Sequence, residues 1–238
     1  RAARFMTSPL LASLRPEASG APASGIVELA KYARTSGDDV IQLWVGEGDM
    51  PTPSFIYEAA TRSLAAGETT YTWQRGIPEL RQAIATYASR LYGRPLSADR
   101  FFVCGSGMQA IQIAMTMVAG TGDEVIIPSP TWPNAPAAAG LRGATPVFVE
   151  LVHGNRGWQM DLDRLEAAIT PRTKALFINT PSNPTGWTAT KEELAAILAM
   201  ARRRGLWIIA DEIYTRFVWR EGLSRAPSFH DVREDGDR

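Results

Sequence analysis

Two polar stretches, each directly behind an apolar run, hold the residues of this chain best suited to chemistry. Asp211 follows the run 206–210 and is itself followed by Glu212-Ile213-Tyr214. Asn179-Thr180-Pro181-Ser182-Asn183-Pro184-Thr185-Gly186 follows the run 175–178 and is too dense in turn formers for helix or strand. A carboxylate in a partly dry cleft stabilises a cation by a charge-assisted hydrogen bond, and a protonated ring nitrogen is such a cation. An isolated Asp at a strand end also serves as an N-cap or turn carboxylate. Tyr214 is close enough in sequence to reach an oxygen on the same ring, and Asn183 can donate to it from the neighbouring turn.

A third stretch, Gly105-Ser106-Gly107-Met108, joins an apolar run to a helical pattern. Its small residues let the backbone approach an anion, and a helix N-terminus supplies free N–H groups and positive potential. With Ala110 it also matches the dinucleotide fingerprint Gly-x-Gly-x-x-Ala, which calls for an acid about 20 residues on. The next strand ends instead in Pro128-Ser129-Pro130. A plain tight turn is the third reading. Trp132, among prolines, either anchors a surface or offers its face to a flat ligand. Taken together, the groups would hold a planar, phosphorylated, zwitterionic heterocycle. Its phosphate would lie at Ser106, Gly107 and Met108, its face on Trp132, its ring nitrogen on Asp211 and its ring oxygen on Asn183 and Tyr214.

The elements that position these residues read as alternating strands and helices. Between Lys174 and Tyr214 lies a complete βαβ unit. Thr190 and Glu193 form a capping box, Leu194, Ile197, Leu198 and Ala201 a helical stripe, and Gly205 the stop. Two parallel strands then deliver the Asn-rich turn and Asp211 to one sheet edge, where open α/β sheets bind ligands. Strands at 101–104, 124–128 and 145–149 alternate with helices at 107–119, about 134–141 and 162–169. This predicts five strands in a mainly parallel α/β sheet with helices on both faces. Upstream, the pattern predicts helices at 26–35, 54–66 and from Pro78 to Gly93, and a strand at 40–45. Residues 1–25 read as an arm without its own core and 220–238 as polar loop. A sheet of this kind normally continues, so the chain is expected to be incomplete at its C-terminus.

Composition bounds the function classes. Of 238 residues, 45% are apolar and 21% charged, enough for a real core. Equal numbers of basic and acidic residues, 25 each, argue against a polyanion-binding surface. Cys104 is the single cysteine, which excludes a disulfide framework and fits a reducing compartment. No apolar run approaches the roughly 20 residues that span a bilayer. Neither nucleic acid nor membrane is therefore an expected partner, and a cytoplasmic location is. Three Arg and no acid in the first 16 residues faintly suggest a transit peptide; without an initiator Met, a trimmed end is the preferred reading.

The motif set resembles the class I and II aminotransferases, the fold type I pyridoxal-phosphate enzymes. Gly46-Glu47, Tyr71 with Gly76 and Leu80-Arg81, Ser106-Gly107, Trp132, Asn183 to Gly186 and Asp211 to Tyr214 occur in family order. The resemblance implies pyridoxal 5′-phosphate as cofactor, bound by Ser106, Gly107, Met108, Trp132, Asn183, Asp211 and Tyr214. It also implies a homodimer in which Tyr71 reaches the phosphate of the partner subunit's cofactor, and a substrate lying against Gly46, Trp132 and Asn183. Residues 1–50 would be an arm and part of the small domain, and 51–238 an incomplete cofactor-binding large domain. The activity implied is movement of an amino group between an amino acid and a 2-oxo acid.

Departures accompany the match. Ala135 stands where the aspartate branch carries a His behind the pyridine-binding Asp. The family's Schiff-base lysine and its carboxylate-gripping Arg are expected beyond Arg238. Lys31, Lys174 and Lys191 are not credible substitutes, so no catalytic residue is expected within 1–238 and the chain alone is expected to be inactive. A carbon–sulfur lyase or other eliminating enzyme shares the same cofactor motifs. A regulator's ligand-sensing domain, or an inactive fragment, is the reading from outside enzymology. The regulator would need a helix-turn-helix module upstream, which residues 1–25 are too short and apolar to supply.

Overall fold

The computed structural model describes residues 13–21, 25–37, 40, 41, 43, 46, 48–219 and 221–238. Its helices are α1 (Pro16–Ser19), α2 (Gly25–Arg34), α3 (Ser54–Ala65), α4 (Pro78–Tyr92), α5 (Gly107–Val118), α6 (Asn134–Gly140), α7 (Leu162–Ala167) and α8 (Lys191–Arg204). The strands are β1 (Glu124–Ser129), β2 (Thr145–Glu150), β3 (Val152–Gly154), β4 (Gly157–Gln159), β5 (Thr173–Asn179) and β6 (Trp207–Asp211). Two compact units result. Among the described residues, one contains 13–21, Thr86–Leu96 and those of Cys104–Arg238, and the other those between 25 and Ala85 together with Ser97–Val103.

The larger unit is built on a parallel sheet of order β2-β1-β5-β6. Side chains alternate across a strand, so odd and even positions feed different cores. Val125, Ile127, Ala175 and Phe177 pack with Met115 of α5 and Ala135, Ala138 and Ala139 of α6. Ile126, Leu176 and Ile178 face the other way, onto Leu165 of α7 and Leu194, Ile197, Leu198 and Ala201 of α8. Helices thus cover both faces, as expected. The central strands β1 and β5 are buried almost throughout, as strands covered on both faces must be, whereas β2 and β6 at the sheet edges keep exposed positions.

Local signals fix the ends of the elements. Thr190 Oγ1 accepts from the Glu193 N–H at 3.1 Å, and Glu193 Oε2 accepts from the Thr190 N–H at 2.7 Å, completing the capping box of α8. Gly205 closes the same helix at φ 67°, a left-handed conformation that favours glycine. Arg203 and Arg204 both reach Glu166 of α7, at 3.1 and 3.3 Å. At the amino edge of the sheet, buried Glu124 holds Arg172 and accepts from Thr170 Oγ1 at 2.5 Å. Lys174 lies on this edge, 3.9 Å from Asp123, at the far end of β5 from Asn179.

Three expectations need correction. Residues 101–104 carry no strand pairing, so the sheet among the described residues has four strands, not five. Strand character requires a ladder partner, and Val103 spends its N–H on the Arg75 carbonyl at 3.0 Å instead. The hairpin β3–β4 was not expected; its strands are three residues each, too short for a periodic signal. A 3₁₀ turn, Phe229–Asp231, orders part of the segment expected to be loop. Of the strand expected at 40–45, residues 42, 44 and 45 lie outside the described residues, and 40, 41 and 43 carry no strand pairing.

In the smaller unit, one arginine ties the start of α4 to residues 97–103. Arg81 Nε donates to the Phe101 carbonyl at 3.1 Å, and Nη2 donates to the Ala98 carbonyl and to Asp99 Oδ1 at 2.7 and 3.0 Å. Gly76 sits at φ 94°, and a Cβ added there would come within 2.5 Å of Val103 Cγ2. Gly76→Ala is expected to destabilise this unit by about 1–3 kcal/mol, the combined cost of a strained φ and a steric overlap. Urea unfolding followed by proteolysis of the 70–103 region measures it; an unchanged midpoint would show that the turn relaxes freely.

Candidate active site

A cavity of about 650 Å³ opens where β5 and β6 end beside the start of α5. That is the position at which open parallel sheets bind ligands, and the volume is that of a small-molecule site. All of its lining belongs to the larger unit.

The two strand ends meet in register, Asn179 opposite Asp211. Ile209 and Asp211 share one face of β6, and Ile209 packs into the core on the α5 side, so Asp211 projects on that side too. Its Oδ1 accepts one hydrogen bond, from the Ile213 N–H at 3.2 Å. Burial raises the pKa of this carboxyl, partly opposed by that bond. A half-buried acid with a single donor is electrostatically unfinished, and a cation beside it would reverse the shift.

Ser106 caps α5, its Oγ accepting from the Gln109 N–H at 3.2 Å, while Gln109 Oε1 accepts from the Gly105 N–H at 2.7 Å. The N–H groups of Gly107 and Met108 have no acceptor among the described residues, as at any open helix start. Nothing lies within 4 Å of where a Gly107 Cβ would be, so this backbone is open to approach. Ala110, Ile111 and Ala114 continue along α5 as an apolar wall. Trp132, Asn183 and Tyr214 complete the rim, each partly buried.

Seven residues singled out in the sequence, Ser106, Gly107, Met108, Trp132, Asn183, Asp211 and Tyr214, therefore line one cavity. Gly46 and Tyr71 belong to the smaller unit, where both are exposed. Sequence reasoning passed over Asn179, whose side chain bonds to both Asn183 and Asp211. Its only signal was its place as the first polar residue after an apolar strand. Among the described residues no cluster of three or more His, Cys, Asp and Glu is arranged to hold a metal ion. No described helix is long and apolar enough to cross a membrane.

Glu212 also reaches this lining, but its carboxylate is engaged by the C-terminal segment. Oε2 accepts from Ser228 Oγ at 2.6 Å and Oε1 from the Phe229 N–H at 2.9 Å. Arg225 and Asp231 form a bidentate pair at 2.6 and 2.8 Å in the same segment, and His230 stacks on Tyr92 at 4.3 Å. Burial, with Arg233 and Arg94 nearby, lowers the His230 pKa from 6.5 to about 4. The folded state then binds fewer protons than the unfolded state between those values, so stability is full above pH 6.5 and falls toward pH 4. Chemical unfolding at pH 7 and pH 5 should show a loss in the parent that is smaller in His230→Gln. Equal losses in both proteins would assign the acid sensitivity elsewhere.

Residues 38–235 match the family model described as aminotransferase class I and II. The chain belongs to this family. Among curated relatives, the chain is 39% identical to an aspartate aminotransferase of Geobacillus stearothermophilus over 88% of its own length. It is 40% identical to an aspartate/prephenate aminotransferase of Cereibacter sphaeroides over 89% of its length. It covers 52% of each of those two proteins. Among solved structures, the aspartate aminotransferase of Thermotoga maritima superposes with a TM-score of 0.85 at 36% identity, covering 93% of this chain and 59% of that one.

Class I aminotransferases depend on pyridoxal 5′-phosphate. The donor set of the cavity fits such a group: free helix N–H groups suit a phosphate, apolar walls and Trp132 suit a flat ring, and an under-partnered Asp211 suits a protonated ring nitrogen.

Proposed function

We propose that this chain forms the cofactor-binding part of a pyridoxal-phosphate-dependent aminotransferase that moves an amino group between an amino acid and a 2-oxo acid. The observation that carries it is the single cavity shared by the helix N-terminus at Ser106, Gly107 and Met108, the Trp132 ring and Asp211. In this reading Ser106, Gly107 and Met108 bind the phosphate, Trp132 lies against the ring, and Asn183 and Tyr214 hold the ring oxygen. Asp211 keeps the proton on the ring nitrogen, where burial strengthens the pairing of opposite charges. When bound, the cofactor supplies an electron-withdrawing ring that spreads charge developing at the substrate carbon. The protein's part is to hold that nitrogen cationic, to orient the ring and to exclude water.

Gly46, Trp132 and Asn183 are the proposed substrate contacts. Tyr71 is fully exposed in its own unit, which supports its assignment to the partner subunit's cofactor in a homodimer. An arm and part of the small domain in 1–50, with the large domain from 51, remains the proposed organisation, and the cytoplasm the proposed location. The aminotransferase names of the relatives above do not favour an eliminating enzyme or a ligand sensor.

Trp132→Leu tests the ring contact. Loss of a stacked aromatic is expected to weaken cofactor retention about tenfold while the unfolding midpoint moves little. Cofactor release by dialysis and thermal unfolding measure the two effects. A variant that retains cofactor but melts early would make Trp132 a packing residue and remove that wall of the site.

A further inference from the structure

We propose that Asn179 is the positioning residue that sets Asn183 and Asp211 relative to each other, and that ring recognition at this site depends on it. The inference rests on the cofactor reading given above.

Asn179 ends β5 at 7% exposure and stands in register with Asp211, which ends β6. Its Oδ1 accepts from the Asn183 N–H at 2.7 Å, and its Nδ2 donates to the Asp211 carbonyl at 3.1 Å. The same carbonyl accepts from the Thr180 N–H at 3.0 Å. One side chain therefore links the turn that carries Asn183 to the strand end that carries Asp211. Its orientation is not free: a backbone N–H can meet only an acceptor and a carbonyl only a donor. Among side chains of this size at neutral pH, the amide alone offers a donor and an acceptor on two separate atoms. Asp keeps the acceptor but turns an oxygen toward the Asp211 carbonyl, and Leu keeps the shape but offers neither.

Both polar atoms of Asn179 already have backbone partners, so it acts through Asn183 and Asp211. A fault here displaces two ligand contacts together. Replacing Asn179 should therefore matter only while those two side chains are present.

The experiment is a mutant cycle on the full-length protein, read as the affinity for pyridoxamine 5′-phosphate by equilibrium dialysis. This probe carries the phosphate, ring nitrogen and ring oxygen but forms no covalent link to the protein. Asn179→Asp is expected to weaken binding about 10- to 100-fold, the effect of breaking a buried hydrogen bond and opposing two oxygens. Combined with Asn183→Ala and Asp211→Ala, the same substitution should change the remaining affinity by less than about threefold. If Asn179→Asp fails to fold, Asn179→Ser enters the same cycle. Equal factors in both backgrounds, with binding intact in the parent, would overturn the positioning role alone. No binding by the parent protein would overturn the cofactor reading and this inference with it.

Discussion

Asp211→Ala should reduce amino transfer by the full-length protein at least about 100-fold while leaving it folded. Removing one member of a buried charge pair costs about 3–5 kcal/mol, because the other charge is left without a partner in a poorly solvating site. The carboxylate is suited to that role: it is half-buried, its pKa is raised by burial, and it has one donor of its own. Among the described residues it holds only the Ile213 N–H, a bond worth about 1 kcal/mol. Asp211→Asn separates charge from shape, since the amide keeps the acceptor for Ile213 and the volume. It should lose nearly as much activity as the Ala variant and less stability. Steady-state kinetics with chemical unfolding on each variant measures both. Turnover close to the parent in Asp211→Ala would remove this residue from the site.

The second large effect is on stability. Phe177→Ala is expected to cost about 3–5 kcal/mol, the usual penalty for deleting a buried aromatic. The ring is 1% exposed and packs in the same core as Met115 of α5 and Ala135, Ala138 and Ala139 of α6. Those alanines leave little side chain to collapse into a vacated space, which puts the expectation at the upper end of that range. Phe177→Leu should recover more than half of the loss. Equilibrium urea unfolding gives the numbers, and a cost below about 1 kcal/mol would mean that this face is loosely packed.

Much of this was legible in the sequence, for reasons that differ by residue. The β5–α8–β6 unit announced itself through Thr190 and Glu193 at one helix end and Gly205 at the other, where local chemistry alone decides the boundary. Seven cavity-lining residues were legible because each lies within four residues of a strand end or opens a helix, and parallel strands bring such positions to one edge. Residues 101–104 misled because β propensity describes a segment, whereas a strand is a relation between two. Asn179 was missed for the opposite reason. In sequence it is one turn former among eight, and its importance lies in partners four and 32 positions away.

Neighbouring acids at the end of β6 carry a further consequence. Asp211 projects toward the α5 side, while the carboxylate of Glu212 is spent on Ser228 and Phe229 of the C-terminal segment. A library covering both codons, scored once for cellular abundance and once for growth that requires the activity, should therefore give two different profiles. Position 211 would tolerate many residues in the first screen and almost none in the second. Position 212 would fail in both, because its variants are lost before function is ever asked of them. Deleting a single residue within 207–210 would shift the register by one and set Glu212 where Asp211 now projects, so its carboxylate would leave Ser228 and Phe229.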